Sequence, residues 1–120
     1  LLWEATCFEF FLAVPGTAGY WEFNLSPAGD WNAFRLTGYR RGIAEEPAFT
    51  GLALDVRRRP RELTLDVELD LGNIVPADQA LEVGLAAVIK LPNGTLTYWA
   101  LAHPGREPDF HRRDSFLVRV

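Results

Sequence analysis

Apolar and polar residues alternate with a period of two along most of this chain, and Pro-Gly or Asn-Gly turns interrupt them at short intervals. The cleanest stretch is 62–70, where Leu63, Leu65, Val67 and Leu69 point one way and Thr64, Asp66, Glu68 and Asp70 the other. A helix would scatter those two sets around its axis, whereas a strand sorts them onto two faces. The same pattern runs through 7–14, with Phe8, Phe10, Leu12 and Val14 opposite Cys7, Glu9, Phe11 and Ala13. It continues in 20–25 and 31–37, and Pro15-Gly16 and Pro27-Ala28-Gly29 divide the three into an antiparallel meander. Further strands are predicted over 52–57, 62–70, 81–91, 95–102 and 115–120, the last with Phe116, Val118 and Val120 inward. A hairpin is predicted across Pro92-Asn93-Gly94, and one helical turn within the polar stretch 71–80. Short strands at regular spacing without an amphipathic helix predict an all-β fold. It is an antiparallel β-sandwich, with jelly-roll and immunoglobulin-like topologies both open.

The 120 residues suit a single domain over 1–120, and 48% hydrophobic residues suit a packed core without a disulfide framework. Cys7 has no partner cysteine, which leans towards a reducing, cytoplasmic setting. A net charge of −4 weighs against nucleic acid as partner, and the Arg57-Arg58-Arg59-Pro60-Arg61 cluster reads as a solvated turn. No apolar run approaches a membrane span. The chain begins with Leu and holds no Met, so its natural beginning is expected to be missing from this sequence.

Catalytic signatures are absent. Ser26 and Ser115 lie in no nucleophile elbow, and neither H-E-x-x-H nor a phosphate-cradling glycine motif occurs. No enzymatic activity is expected. In the loop 102–114, His103, Asp109 and His111 could form a metal site. The favoured reading is a hydrogen-bonded hinge in which Asp109 and Asp114 meet Arg112, Arg113 or backbone amides.

The first meander holds the most suggestive chemistry. If the Phe8, Trp21 and Phe34 side faces the core, then Glu9, Phe11, Tyr20, Glu22, Asn24, Trp31 and Arg35 share the other face. Antiparallel neighbours bring such side chains to about 5 Å at Cβ. Aromatic rings offer a flat apolar platform, while carboxylates, amides and Arg match sugar hydroxyls. The competing reading is that this face is a second layer of the core. Tyr98 is expected to face inward and Trp99 outward.

The segments Leu2-Trp3-Glu4-Ala5-Thr6-Cys7-Phe8-Glu9-Phe10-Phe11-Leu12, Gly19-Tyr20-Trp21-Glu22-Phe23-Asn24-Leu25-Ser26-Pro27 and Gly29-Asp30-Trp31 resemble, in that order, a DOMON-like module related to the family 9 carbohydrate-binding modules. The stretches 98–104, 108–111 and 114–116 resemble the tail of bacterial DOMON-like proteins. The resemblance implies a β-sandwich that binds ligand on a sheet face without catalysis, with sugars in some members and haem in others. It also implies strands ahead of Leu2 and, in some relatives, structural calcium.

Three readings follow. In the carbohydrate reading, a small molecule or oligosaccharide stacks on Tyr20, Trp31 and Trp99, while Glu22, Asn24 and Arg35 bind hydroxyls. These assignments rest on alternation. In the haem reading, iron needs axial ligands, which such domains supply as Met and His. This chain has no Met; His103 would supply one ligand and His111 or an upstream residue the other. Two ligands from one short loop reach opposite faces of a haem poorly, so no cofactor is expected and haem is kept as the alternative. In the third reading the apolar surface is a protein-interaction site with no small ligand.

Overall fold

The computed structural model describes residues 6–120. Leu2–Ala5 of the resembling first segment lie outside the described residues. The strands in chain order are β1 (Cys7–Ala13), β2 (Tyr20–Leu25), β3 (Trp31–Leu36), β4 (Ala44–Glu45), β5 (Ala53–Arg59), β6 (Glu62–Glu68), β7 (Glu82–Lys90), β8 (Leu96–Ala100) and β9 (Val118–Arg119). All pairings are antiparallel. One sheet runs β4-β3-β2-β1-β7-β8, with β9 also on β7, and β5-β6 form a separate hairpin. The hairpin lies over one face of the sheet, and the fold is an antiparallel β-sandwich. Strand β1 is paired on both sides, which places its aromatic-rich run at the centre.

The turns form where the sequence supplies their chemistry. Gly16, Gly29 and Gly94 adopt φ of 81°, 93° and 86°, the left-handed region that glycine enters without a Cβ clash. At Ser26-Pro27-Ala28-Gly29 the Ser26 Oγ also accepts from the Ala28 N–H at 3.0 Å.

Each face of the large sheet carries its own apolar cluster. On the hairpin side, Leu12, Phe23, Ala33 and Phe49 are buried, with Phe10, Trp21, Trp31, Leu69, Leu71 and Ile74 against them. Phe10 stacks on Phe23 with ring centroids 4.4 Å apart. On the opposite face, Phe11, Ala13, Tyr20, Leu36 and Phe116 are buried together.

Two local expectations are corrected. The predicted strand 115–120 pairs only at Val118–Arg119, after a 3-10 turn over Arg113–Ser115. Phe116 leaves the sheet plane to pack face-on, so it is buried while Val118 and Val120 are exposed. The ring lies so close to Gly84 that a Cβ there would stand 2.7 Å from Phe116 Cδ1. The two-residue strand β4 is too short for alternation to reveal. The helical turn expected within 71–80 is a 3-10 turn over Leu71–Asn73.

Candidate functional site

The face opposite the hairpin carries polar groups in register. Glu9 pairs with Asn24, and Asn24 with Asn32; Phe11 pairs with Glu22, and Glu22 with Phe34. Tyr20 pairs with Leu36 in the next rung. Glu9 and Glu22 thus stand diagonally on adjacent strands, and each is 7% exposed.

The segment 103–117 covers part of this face and is held by directional bonds. Arg113 donates to the carbonyls of Thr17 (2.7 Å) and Val14 (2.8 Å) and to Glu82 Oε2 (3.2 Å). Phe116 packs on Phe11 and Tyr20 at centroid distances of 5.4 and 5.8 Å. Asp109 accepts from the His111 N–H at 3.2 Å, from Arg40 at 2.7 Å and from the Tyr39 hydroxyl. Arg112 pairs with Asp114 at 2.8 Å. This is the expected hydrogen-bonded hinge. A metal site from His103, Asp109 and His111 does not form, and no group of three or more His, Cys, Asp or Glu side chains converges among the described residues.

Tyr20 links the loops. Its hydroxyl accepts the Arg40 backbone N–H at 3.1 Å and shares a hydrogen bond of 2.7 Å with His111 Nδ1. The other ring nitrogen of His111, Nε2, faces Glu22 Oε1 at 3.7 Å. Arg40 reaches this position with φ of 53°, in the left-handed region.

A cleft of about 480 Å³ remains open beside this network. Glu9 and Glu22 line it with Arg40 and His111, and Phe34, Tyr98 and Phe110 supply aromatic walls. Burial and the neighbouring Glu22 charge push Glu9 up to about 7. Burial also raises Glu22, against the pull of Asn24 and Arg40. Burial, then the Arg40 charge, lowers His111 to about 4, so its imidazole is neutral. Burial works against ionised Asp109, yet its bonds from Tyr39 and Arg40 hold it below the usual carboxylate range. Cys7 lies buried on the same face, its thiol pushed up to about 12 by burial and then by Glu9.

Of the sequence-predicted residues, Tyr20, Glu22 and Asn24 share this face, but Tyr20 and Asn24 are buried beneath other groups rather than open to a ligand. Trp31 and Arg35 do not join them. Leu25 pairs with Trp31 and Trp21 with Arg35, which puts both on the hairpin side. There Trp31 packs against the core cluster, and Arg35 is exposed beside the short edge strand β4. Trp99 pairs with Ala87, itself paired with Phe8, so it too lies on the hairpin side, 62% exposed. Its neighbour Tyr98, expected inward, walls the cleft and is 45% exposed. His103 is exposed, with its ring 6.1 Å from Phe110. Glu9, Phe34, Arg40, Tyr98, Phe110 and His111 are among the cleft residues that the predicted ligand-binding set left out, and the last of them was named only as a metal or haem ligand. An Asp-x-His pair after a proline, at 108–111, was the available signal for the last of these.

Neither family models nor curated proteins give a match to this chain. Among solved structures, it is similar to a putative carbohydrate-binding protein from Bacteroides uniformis ATCC 8492, with a TM-score of 0.67 and 18% identity. The match covers 97% of this chain and 61% of that protein, so the chain spans less than two thirds of its length. At this identity the likeness concerns the fold.

Proposed function

We propose that the chain is a non-catalytic carbohydrate-binding module, DOMON-like in kind, that holds its ligand in the Glu9–Glu22 cleft. The observation that carries this reading is the composition of the cleft. Rings from Phe34, Tyr98 and Phe110 line it together with the two carboxylates and Arg40. Apolar ring faces suit the C–H face of a sugar, and the charged groups suit its hydroxyls. The fold shared with a protein described as carbohydrate-binding supports the same reading.

Two carboxylates in one cleft also invite comparison with glycoside hydrolysis. That chemistry needs an acid and a nucleophile or base flanking the scissile bond. Glu9 and Glu22 stand diagonally on adjacent strands of one sheet face, and the likeness to a protein described as carbohydrate-binding favours binding.

Haem fits these residues poorly. His111 directs one ring nitrogen to Tyr20 and the other towards Glu22, and His103 lies exposed beyond Phe110. Among the described residues no two axial donors face each other across a slot.

The test is a calorimetric titration against mono- and oligosaccharides, repeated with Tyr98→Ala and Trp99→Ala. Binding that weakens about tenfold in Tyr98→Ala and stays in Trp99→Ala supports the cleft. The reverse pattern moves the site to the hairpin side, and no response to any sugar removes the reading. In that last case a protein-interaction role gains ground, since Trp99, Leu85 and Leu101 are 62%, 48% and 42% exposed on that side.

A further inference from the structure

We infer that the Glu9–Glu22 cleft selects a sugar bearing a free ammonium group, an amino sugar, over a neutral sugar of the same size. This rests on the carbohydrate reading above and narrows it to a substrate class. The cleft holds more acceptors than donors. Glu9 is more than nine-tenths buried and lines the cleft, yet nothing among the described residues hydrogen-bonds its carboxylate. Opposite it on β2 and beneath the cleft, the fully buried Asn24 also has an unpartnered Oδ1, so no donor reaches Glu9 from below. Glu22 has the Asn24 amide beside it on its own strand and the neutral His111 at 3.7 Å, and no cation among the described residues is paired with it directly.

The donors present are largely committed. Arg40 is held by Asp109 at 2.7 Å, so the cation nearest the two glutamates already has a carboxylate. An ammonium brings three donors and no acceptor, and a positive charge suited to aromatic walls. A neutral hydroxyl would leave two neighbouring buried carboxylates in mutual repulsion. A sulfated or carboxylated sugar would add to that repulsion.

The groups facing Glu9 are Glu22 on β2, Arg40 in the β3–β4 loop, His111 in the C-terminal segment and Tyr98 on β8. Cys7 lies on its own strand, and β7 contributes Ala86 and Val88. With Glu9 titrating at about 7, a cation binds best where that carboxylate is ionised, so affinity rises with pH through neutrality.

The experiment titrates the protein calorimetrically with glucose, glucosamine, N-acetylglucosamine and cyclohexylamine. The last keeps its charge throughout the range and has no hydroxyls, so its pH dependence reads the protein alone. Glucosamine is expected to bind about tenfold tighter than glucose or N-acetylglucosamine near neutral pH. Cyclohexylamine is expected to weaken about tenfold between about pH 7.5 and about pH 5.5. In Glu9→Gln, which keeps shape and volume, the sugar preference should fall to within about twofold. The wild-type pH profile keeps the inference testable if that variant folds poorly. Equal binding of glucose and glucosamine overturns the inference and leaves the carbohydrate reading standing. Cyclohexylamine binding as tightly as glucosamine keeps the ammonium site and removes the sugar. Failure of all four overturns both.

Discussion

The two faces of the seven-stranded sheet are closed by different means. On one, the β5–β6 hairpin leans over Phe10, Leu12, Val83 and Leu85 and leaves an apolar groove of about 800 Å³, with Leu63 on its inner row 36% exposed. On the other, the C-terminal segment is fastened at a few points, by Arg113 to the β1–β2 turn and by Asp109 to the Tyr39-Arg40 turn. Apolar packing is non-directional, so an incomplete cover yields an open groove with no fixed orientation for a ligand. Hydrogen bonds and ion pairs fix geometry, so the fastened face keeps a small cleft whose polar groups have set positions. Binding specificity is therefore expected on the fastened face and plain adhesion on the hairpin side.

The largest expected effect tests whether the fastened face depends on its plug. Phe116→Ala removes the ring that rests on Gly84, Phe11 and Tyr20, and is expected to cost about 3–5 kcal/mol in urea denaturation. Trp99→Ala, on the hairpin side, should change stability by no more than about 0.5 kcal/mol. Similar losses in both variants would mean that the two faces contribute alike and that the contrast is wrong.

Titration sharpens the comparison, because both strongly shifted groups of the cleft belong to one face. Glu9 has its folded value raised from 4.5 to about 7, so its share of stability is full below about pH 4.5 and is lost as pH rises through about 7. His111 has its value lowered from 6.5 to about 4, so its share is full above about pH 6.5 and is lost as pH falls through about 4. In the window between, the two slopes oppose. Glu9→Gln is expected to raise stability at about pH 8 by roughly 2–3 kcal/mol and to leave a curve that climbs with pH across the window. Denaturation midpoints at a series of pH values check this. A curve unchanged from wild type would place Glu9 in water rather than in the cleft.

Alternation made β1, β2 and β3 legible almost to the residue, because β1 and β2 each have one wholly apolar row and Gly-containing turns bound all three. It could not say which row of β3 joins which row of β2. That is set by the Ser26–Asp30 turn, which pairs Leu25 with Trp31; a shift of one residue moves every side chain to the other face. The expected Tyr20–Trp31–Arg35 platform failed for that reason alone. Glu22 was legible as a candidate because it interrupts an aromatic strand. Arg40 and Phe110 were not, since they come from loops whose positions depend on contacts formed in three dimensions, and His111 stood out in the sequence only as a metal or haem ligand. Trp99 and Tyr98 were correctly assigned to opposite sides, yet the side that carries the cleft is Tyr98's.

A smaller effect is expected at Tyr20, whose hydroxyl joins Arg40 and His111. Tyr20→Phe keeps the ring between Phe11 and Phe116 but leaves the Arg40 N–H and His111 Nδ1 without their partner. It should cost about 1–2 kcal/mol. The same variant frees the imidazole to turn, so the His111 resonance in an NMR titration should move towards the ordinary histidine range.

The smallest effect separates the faces by ligand rather than by stability. Tyr98 and Trp99 are neighbours in β8 and point to opposite sides of one sheet, so truncating each probes one face with little change to the strand. Tyr98→Ala should weaken sugar binding by about 1 kcal/mol, the loss of one partly exposed aromatic wall. Trp99→Ala should leave calorimetric affinity unchanged while lowering retention on hydrophobic resin. Both measurements are needed, because an exposed tryptophan is the residue that composition alone would choose for stacking. If affinity follows Trp99, a broad apolar platform binds the sugar and the fixed carboxylates are incidental to it. If affinity follows Tyr98, the ligand is held where directional groups are fixed, and the apolar groove serves something else.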